Sequence, residues 1–427
     1  MTVSRVTTWS PGNTLTADAL NGEFDNVLTN LNLALTPTPT GALTARSLSA
    51  RFAEVFNLKD FGCVGDGVTD DATALGLALT AAAAAGGTIY APAGTYAYAT
   101  SPNFARAGVN IYADRQAIFK HTGTGNAFSL DGGAAGSGIL GNRYDNIVVQ
   151  GNSSSTNGFY VRSLHHSTFI NCRCLGAATT GAGFKLEWCV ANTWVNPIVS
   201  SNTGTLSPIP KYGMHLSRRS GTDHSTTQTV ITPIFEGLTQ TNGAGIYIDY
   251  AAKNEFIGGT SESNTNGLIV TADSGVGNNA FRGMFMESNS STDITLDGAL
   301  YQSFYDCTIA GAMSITNNAG YCRFYGGVYD DTTISSDSDY MRFRDVIFAS
   351  GSTLTDNSET TLYYDCVGAG GTLITNRSKN TYVATADLPA AGVAQDGKMI
   401  IEETGANSCN LVLYKGGERF KVALTES

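Results

Sequence analysis

Charge is scarce in this chain of 427 residues: only 14% of positions are Asp, Glu, Lys or Arg, and acids outnumber bases 36 to 25. The net charge of −11 argues against nucleic acid or an anionic membrane surface as a general partner. Long apolar runs are missing as well, so no membrane insertion is expected. The alanine-rich run LGLALTAAAAAGG lies inside the chain and lacks a basic leader, so it does not read as a signal peptide. Metal patterns are also missing. The eight cysteines show no zinc spacing, Cys172-Arg173-Cys174 is too tight for a metal knuckle, and all read as buried reduced thiols. His165-His166 leads to no further ligand pattern, and the runs GDG and GAGF lead to no phosphate-loop lysine. No metal and no cofactor is expected.

What is plentiful is glycine, 49 residues of it, with many Thr, Ser and Asn, as in a turn-dense β protein. A short phrase recurs along the chain: FINCRCL at Phe169, WVNPIVS at Trp194, VITPIFE at Val230 and FIGGTSE at Phe256. It continues as FRGMFME at Phe281, FYDCTIA at Phe304, FYGGVYD at Phe324 and FRDVIFA at Phe343, with a looser YYDCVGA at Tyr363. An earlier IVVQGN at Ile147 fits as well. Steps of 19 to 36 residues are too short for helix pairs, so each unit reads as one coil of a parallel β-helix. A β-sandwich with accidentally regular strands is the weaker reading. Coils of a β-helix stack about 4.8 Å apart, which makes the leading Phe/Trp/Val column an internal stack. Two positions on, Asn171, Asn196, Thr232, Gly258, Gly283 and Asp306 form the small polar and glycine set that a tight bend favours. The column four residues after the leading one, from Arg173 and Ile198 to Ile347, is again mostly apolar. The longest step carries SNTGTLSPIPKYGMHLSRRSGTDHSTTQ, read as an excursion beside a surface groove.

Ahead of the coils, residues 56–96 place a helix after Asp70 as N-cap, running to about Ala84 and stopped by Gly86-Gly87. Such a helix covers the open end of a solenoid. The pattern D-F-G-x-x-G-D-G-x-T-D-D, then a helix, then G-G-T-I-Y-x-P-x-G-T-Y resembles the opening of pectate-lyase-like β-helix proteins. That group includes polygalacturonase-like enzymes and many bacteriophage tailspikes. The resemblance implies an all-β, right-handed parallel β-helix with an N-terminal helical attachment segment, a capping helix and a small C-terminal β module. Asp60, Asp66, Asp70 and Asp71 are given turn and cap roles.

The expected division is 1–37, 38–55, 56–377 and 378–427. In residues 1–37, Leu20, Phe24, Val27, Leu28 and Leu31 lie at helical spacing, in a helix too short to stand alone. The segment resembles N-terminal attachment segments of phage tail fibres and tailspikes; a helix folded back on its own body is the alternative. Residues 38–55 read as a spacer. The tail alternates like three antiparallel strands, Lys398–Glu402, Asn410–Tyr414 and Arg419–Leu424. It is similar to modules that close phage tail proteins. By that resemblance the assembly is a homotrimer on a virion, held through residues 1–37 by phage tail, baseplate or adaptor proteins. It would be made in the host cytoplasm and face a bacterial surface polysaccharide.

For chemistry, the seventh repeat position stacks Glu236, Glu262 and Glu287 on three consecutive coils, with Asp330 after a gap. Glycosidases hold two carboxyls about 5–9.5 Å apart, and neighbouring or alternate coils approach that range. These three are the expected catalytic acids, although a solvated acidic edge explains them almost as well. Asp249, Glu255, Asp293 and Asp306 lie on the same coils. From the long excursion, Tyr212, Arg218, Asp223 and His224 are expected sugar contacts, with Asp306 joining them; a lyase would use His224 or Tyr212 as base. Tyr305, Tyr325 and Tyr329 are candidate sugar platforms or subunit contacts. The expected function is binding and hydrolysis of capsule or O-antigen by a tailspike. The alternatives are a non-enzymatic tail fibre and a free bacterial polysaccharide hydrolase or lyase.

Overall fold

The computed structural model describes residues 54–368 apart from 135–136, 202–205, 222, 272–276 and 359, with shorter backbone stretches between 16 and 25 and between 373 and 425. Three long sheets run through it. Sheet 1 has 13 strands from Val55–Asn57 to Leu362–Tyr364, and sheet 2 has 14 from Asp66–Asp70 to Leu373–Ile374. Sheet 3 has 10, from Phe128–Asp131 to Leu354–Asp356. From Phe128 to Asp356 the coils add short strands to all three sheets, each pairing in parallel with the coil before and after; Cys366–Val367 with Leu373–Ile374 is an antiparallel exception. This is the expected right-handed parallel β-helix.

Strand alternation turns one residue in two toward the axis. In sheet 1 the inward residue is the leading column, fully buried from Phe169 through Phe343. Its rings stack face to face: Phe169 on Trp194 at 3.7 Å, Phe281 on Phe256 at 5.3 Å and on Phe304 at 4.9 Å. The register corrects one alignment. The residue paired with Phe169 in the preceding coil is Tyr144, so Ile147 belongs to the corner and not to the leading column. The apolar column that begins at Arg173 and Ile198 faces outward, and the next residue along (Cys174, Val199, Phe235, Ser261, Met286) fills the interior.

Between sheets 1 and 2 the chain turns on a left-handed residue, followed by a second left-handed glycine at Gly258-Gly259 and Gly326-Gly327. Asn171, Asn196, Thr232, Asp306 and Asp345 have φ of 51, 55, 49, 50 and 54°, and Gly258 and Gly283 take the same place. Asn and Asp tolerate that region better than other L-residues, which explains the composition of the bend column. The amides also link coils: Asn196 donates to Asn171, and Asn171 to Asn146, both at 3.1 Å.

The capping helix spans Ala72–Ala85 and ends on Gly86 at φ 68°. Its N-cap position is Asp71, one residue later than expected, but Asp71 makes no side-chain cap bond and the Asp70 carboxylate accepts the Ala72 N–H. Asp71 instead accepts from Val64 and Gly65, and Asp66 from Val68 and Thr69; those backbone bonds hold the Asp66 carboxyl down to about 2. Among the described residues seven cysteines are free and buried, and desolvation pushes the Cys172 and Cys189 thiols up to about 12. At the C-terminus, Met399–Gly405, Ser408–Lys415 and Glu418–Thr425 form an antiparallel meander. Near the N-terminus Leu20 and Phe24 are helical and exposed; Val27, Leu28 and Leu31 lie outside the described residues.

Candidate functional site

The outward positions of sheet 3 bring unlike chemistries together. Four consecutive strands, Phe159–Arg162, Ala182–Glu187, Tyr212–Ser217 and Ala244–Ile248, pair so that Tyr160, Lys185, His215 and Tyr247 form one outward column. Their inward neighbours Phe159, Val161, Phe184, Leu186, Met214, Leu216, Ile246 and Ile248 anchor them in the core. Glycines 183, 213 and 245 make room for sheet 2; a Cβ on Gly245 would sit 1.9 Å from Ser261 Oγ. The strand Tyr212–Ser217 splits the expected long excursion in two, so Tyr212 is a strand residue and not a loop tip.

Over this column lies a groove of about 400 Å3, lined by Asn157, Tyr160, Lys185, Glu187, Tyr212 and His215 among others. Lys185 Nζ is 3.0 Å from His215 Nδ1, and His215 Nε2 is 3.1 Å from Asp249 Oδ1. Asp249 therefore selects the Nε2–H tautomer, which leaves Nδ1 the unprotonated nitrogen; Lys185 Nζ also lies 3.2 Å from Nε2, so it sits against both ring nitrogens rather than along the Nδ1 lone pair. Burial lowers the His215 pKa, and the Lys185 charge lowers it further while Asp249 pulls it back; the imidazole is neutral. Burial also lowers the Lys185 pKa, against the charges of Asp249 and Glu187, the latter 4.0 Å away. Tyr160 donates to Glu187 Oε2 at 2.7 Å, and Tyr212 stacks on Tyr247 at 4.6 Å. Burial raises the pKa of all three phenols, with nearby acids adding to it, so they stay protonated. The groove thus holds a neutral base with an orienting carboxylate, a buried ammonium and phenolic proton donors. Perturbed groups clustered in one cleft are the physical mark of acid–base chemistry.

The other expected residues fall elsewhere. Glu236, Glu262 and Glu287 are directly in register on the outer face of sheet 2. Glu236 is buried, accepting from Ser200 Oγ at 2.7 Å and Thr260 Oγ1 at 3.2 Å. Burial raises the Glu262 pKa, then the hydrogen-bonded Glu236 carboxyl, then the charges of Glu236 and Glu287. Asp223 and His224 sit on a hairpin where Arg219 N–H donates to Asp223 O and Arg218 bridges His224. The Arg218 guanidinium lies 3.5 Å over the Tyr250 ring. Asp306 is the left-handed corner between sheets 1 and 2, not on sheet 3 with Tyr212. Asp293 is fully buried, Glu255 pairs with Arg282, and Tyr329 is an interior ring rather than a surface platform. Sequence reading missed Lys185, His215, Tyr160 and Glu187. Their signal is a second repeat in each coil, FYVR, FKLE, MHLS and IYID, apolar at alternate positions with the chemistry between.

Residues 55–127 match a family described as rhamnogalacturonase A/epimerase, pectate lyase-like. A 79-residue stretch is 42% identical to mannuronan C5-epimerase AlgE1 of Azotobacter vinelandii; it makes up 18% of this chain and spans 4% of that relative's length. Among solved structures, the surface adhesin PfbA of Streptococcus pneumoniae has a TM-score of 0.50 at 11% identity, covering 86% of this chain and 98% of its own. The catalytic domain of Agl-KA has a TM-score of 0.50 at 12% identity, over 74% of this chain and 65% of its own. These structural likenesses show the β-helix and nothing finer.

Proposed function

We propose that this pectate-lyase-like β-helix acts on a uronate-containing polysaccharide of a bacterial surface, bound along the sheet 3 groove. The observation that carries the reading is the Lys185–His215–Asp249 chain beneath Tyr160 and Tyr212. A uronate carboxylate takes the Lys185 ammonium, which frees Nδ1 of the neutral His215. His215 removes the proton from the carbon beside the carboxylate, and Asp249 stabilises the imidazolium formed. The electron pair then forms a carbon–carbon double bond as the neighbouring glycosidic oxygen leaves with the Tyr212 proton. Alternatively, Tyr212 returns a proton to the opposite face and the sugar is epimerised. The likeness to an epimerase over part of the chain supports uronate chemistry in general.

The setting we propose is a bacteriophage tailspike: a homotrimer, attached to tail, baseplate or adaptor proteins through residues 1–37 and carried on the virion. It is supported by the resemblance of that segment and by the exposed helical pair Leu20 and Phe24. A second reading is glycoside hydrolysis by Glu236, Glu262 and Glu287, favoured by their in-register stacking. Against it, Glu236 is buried and its carboxylate is already engaged by the Ser200 and Thr260 hydroxyls.

The test is to incubate the protein with host capsule, O-antigen and purified uronate polymers. Ultraviolet-absorbing unsaturated products, or inverted uronates in an unshortened chain, lost in Lys185→Met and His215→Gln, would support the reading. Reducing ends without unsaturation, lost in Glu262→Gln, would replace it with the hydrolase. Binding without any product would leave a non-enzymatic receptor-binding fibre.

A further inference from the structure

A second patch, on a different face of the solenoid, has a composition that the fold itself does not require. Sheet 1 carries five outward arginines. Arg143, Arg282 and Arg344 each have a carboxylate partner, Asp145, Glu255 and Asp345. Arg323 and Arg342 are paired with each other in register, one coil apart, and no ion pair to either occurs among the described residues. The acids nearest Arg342 along the chain, Asp339 and Asp345, are each three residues away; Asp339 accepts from the Thr360 hydroxyl and Asp345 pairs with Arg344. Two like charges side by side on exposed strands repel, and in a chain of net charge −11 a carboxylate partner would have been easy to supply.

Beside the arginine pair runs a ladder of tyrosines. Tyr301, Tyr321 and Tyr340 occupy the left-handed turn that enters sheet 1, with φ of 59, 58 and 55°. Earlier coils fill that turn with Ala191, Thr227, Lys253 and Asn278. The three rings stack at 5.0 Å and are 43, 43 and 53% exposed. Because Tyr321 is stacked on both faces and Tyr301 and Tyr340 on one each, the ladder offers mainly outward edges and a row of hydroxyls. Tyr321, Tyr340, Arg323, Arg342 and Leu362 enclose a cleft of about 170 Å3 between ladder and sheet.

We propose that this cleft is a non-catalytic binding site for a carboxylated polysaccharide segment, held by Arg323 and Arg342 with hydrogen bonds from the tyrosine hydroxyls. Charge complementarity gives the occupant its anionic groups. Two guanidiniums one coil apart, with no ion-pair partner among the described residues and Arg342 resting 6.0 Å over the Tyr364 ring, call for two carboxylates on a linear chain. That the chain is a polysaccharide rests on the function proposed above. The site lies on sheet 1, so it stands or falls independently of the chemistry in the sheet 3 groove.

The test uses the full-length protein with oligogalacturonate as probe and a neutral oligoglucan of equal length as control. Phenylglyoxal modification of arginines, mapped by peptide mass, localises the contact. The expected result is that Arg323 and Arg342 react in the free protein and are protected by oligogalacturonate but not by the glucan. Protection should fade as salt rises, because exposed ion pairs are screened. Arg323→Gln with Arg342→Gln should weaken this class of sites roughly tenfold. Lys185→Met should leave the protection unchanged. The inference is overturned if both arginines stay reactive at saturating probe, or if the glucan protects them equally. It is also overturned if they are already unreactive without probe; a rise in reactivity on dilution would then assign the face to a second copy of this chain.

Discussion

Replacing Lys185 by methionine should separate stability from function. The Lys185 side chain is only 15% exposed, so its ammonium has given up most of its hydration. Its partners are His215 Nδ1 at 3.0 Å and Glu187 at 4.0 Å. Methionine has similar length and fills the same space. Exchanging a whole buried ion pair for apolar side chains is often neutral or stabilising, by about 1–4 kcal/mol, whereas removing one partner costs about 3–5 kcal/mol where the other is left unpaired. The acids left behind keep other partners: Glu187 the Tyr160 hydroxyl and Asp249 His215. Stability should therefore change little, by less than about 2 kcal/mol. The field at His215 changes in a defined direction. At 3.0 Å, two unit charges repel by about 1.4 kcal/mol in a water-like dielectric and about 5.5 kcal/mol at an effective value of 20. Removing the ammonium lifts that penalty on the imidazolium, so His215 should titrate at higher pH. Activity on a uronate polymer should fall by roughly 100- to 1000-fold, the cost of one well-placed charge-stabilising group. Denaturant unfolding, His215 titration by NMR and product assays read the three quantities. If stability falls by more than about 2 kcal/mol while His215 titrates as before, Lys185 is structural and the reasoning fails.

Other expectations follow from the same geometry. Burial holds the His121, His165 and His215 pKa values below that of a free imidazole, so the unfolded chain binds protons that the folded chain refuses. Stability should thus fall as pH drops below about 6.5, and His215→Gln should flatten the dependence measured by urea unfolding. Glu262 has a raised pKa, so its folded carboxylate is penalised as pH rises through the acid range; Glu262→Gln should be neutral to slightly stabilising at pH 7 in thermal melts. Phe281→Ala, emptying a ring site stacked on both faces, should cost about 3–5 kcal/mol, with hydrogen-exchange protection lost first in the coils of Phe256 and Phe304. Uniform loss along the solenoid would contradict nearest-neighbour stacking. Gly245→Ala should destabilise by about 1–3 kcal/mol, seen as a lower urea midpoint, because its Cβ collides with Ser261.

The solenoid was legible because two of its demands are strict. An inward column must be apolar, and the left-handed corner between sheets 1 and 2 is filled by glycine or a small polar residue; Phe281, Asn196 and Asp306 satisfy them in the open. Sheet 3 was harder to read. Loops of changing length lead into and out of it, so Lys185 and His215 fall at different offsets from the leading phrase although they pair in register. The outward column also mixes Tyr160, Lys185, His215 and Tyr247, and unlike residues leave no repeated letter. The glutamate ladder shows the opposite case. Its identical letters were plain, but Ser200 and Thr260, which satisfy and bury Glu236, come from neighbouring strands that periodicity alone does not connect to it.

The parallel register of the coils has a mechanical consequence. Inter-coil hydrogen bonds lie along the long axis, so tension applied end to end loads the interfaces in series, whereas compression presses stacked rings such as Phe169 and Trp194 together. A body of this kind resists pushing better than pulling. Under tension it should yield one coil at a time, and a coil the size of the one from Phe169 to Trp194, 25 residues by their register, releases roughly 80–90 Å of chain. Force spectroscopy should then show a sawtooth with uneven teeth. The tooth spacing would follow the loop lengths, and the widest would come from the 36 residues between Trp194 and Val230, which pair directly across that coil.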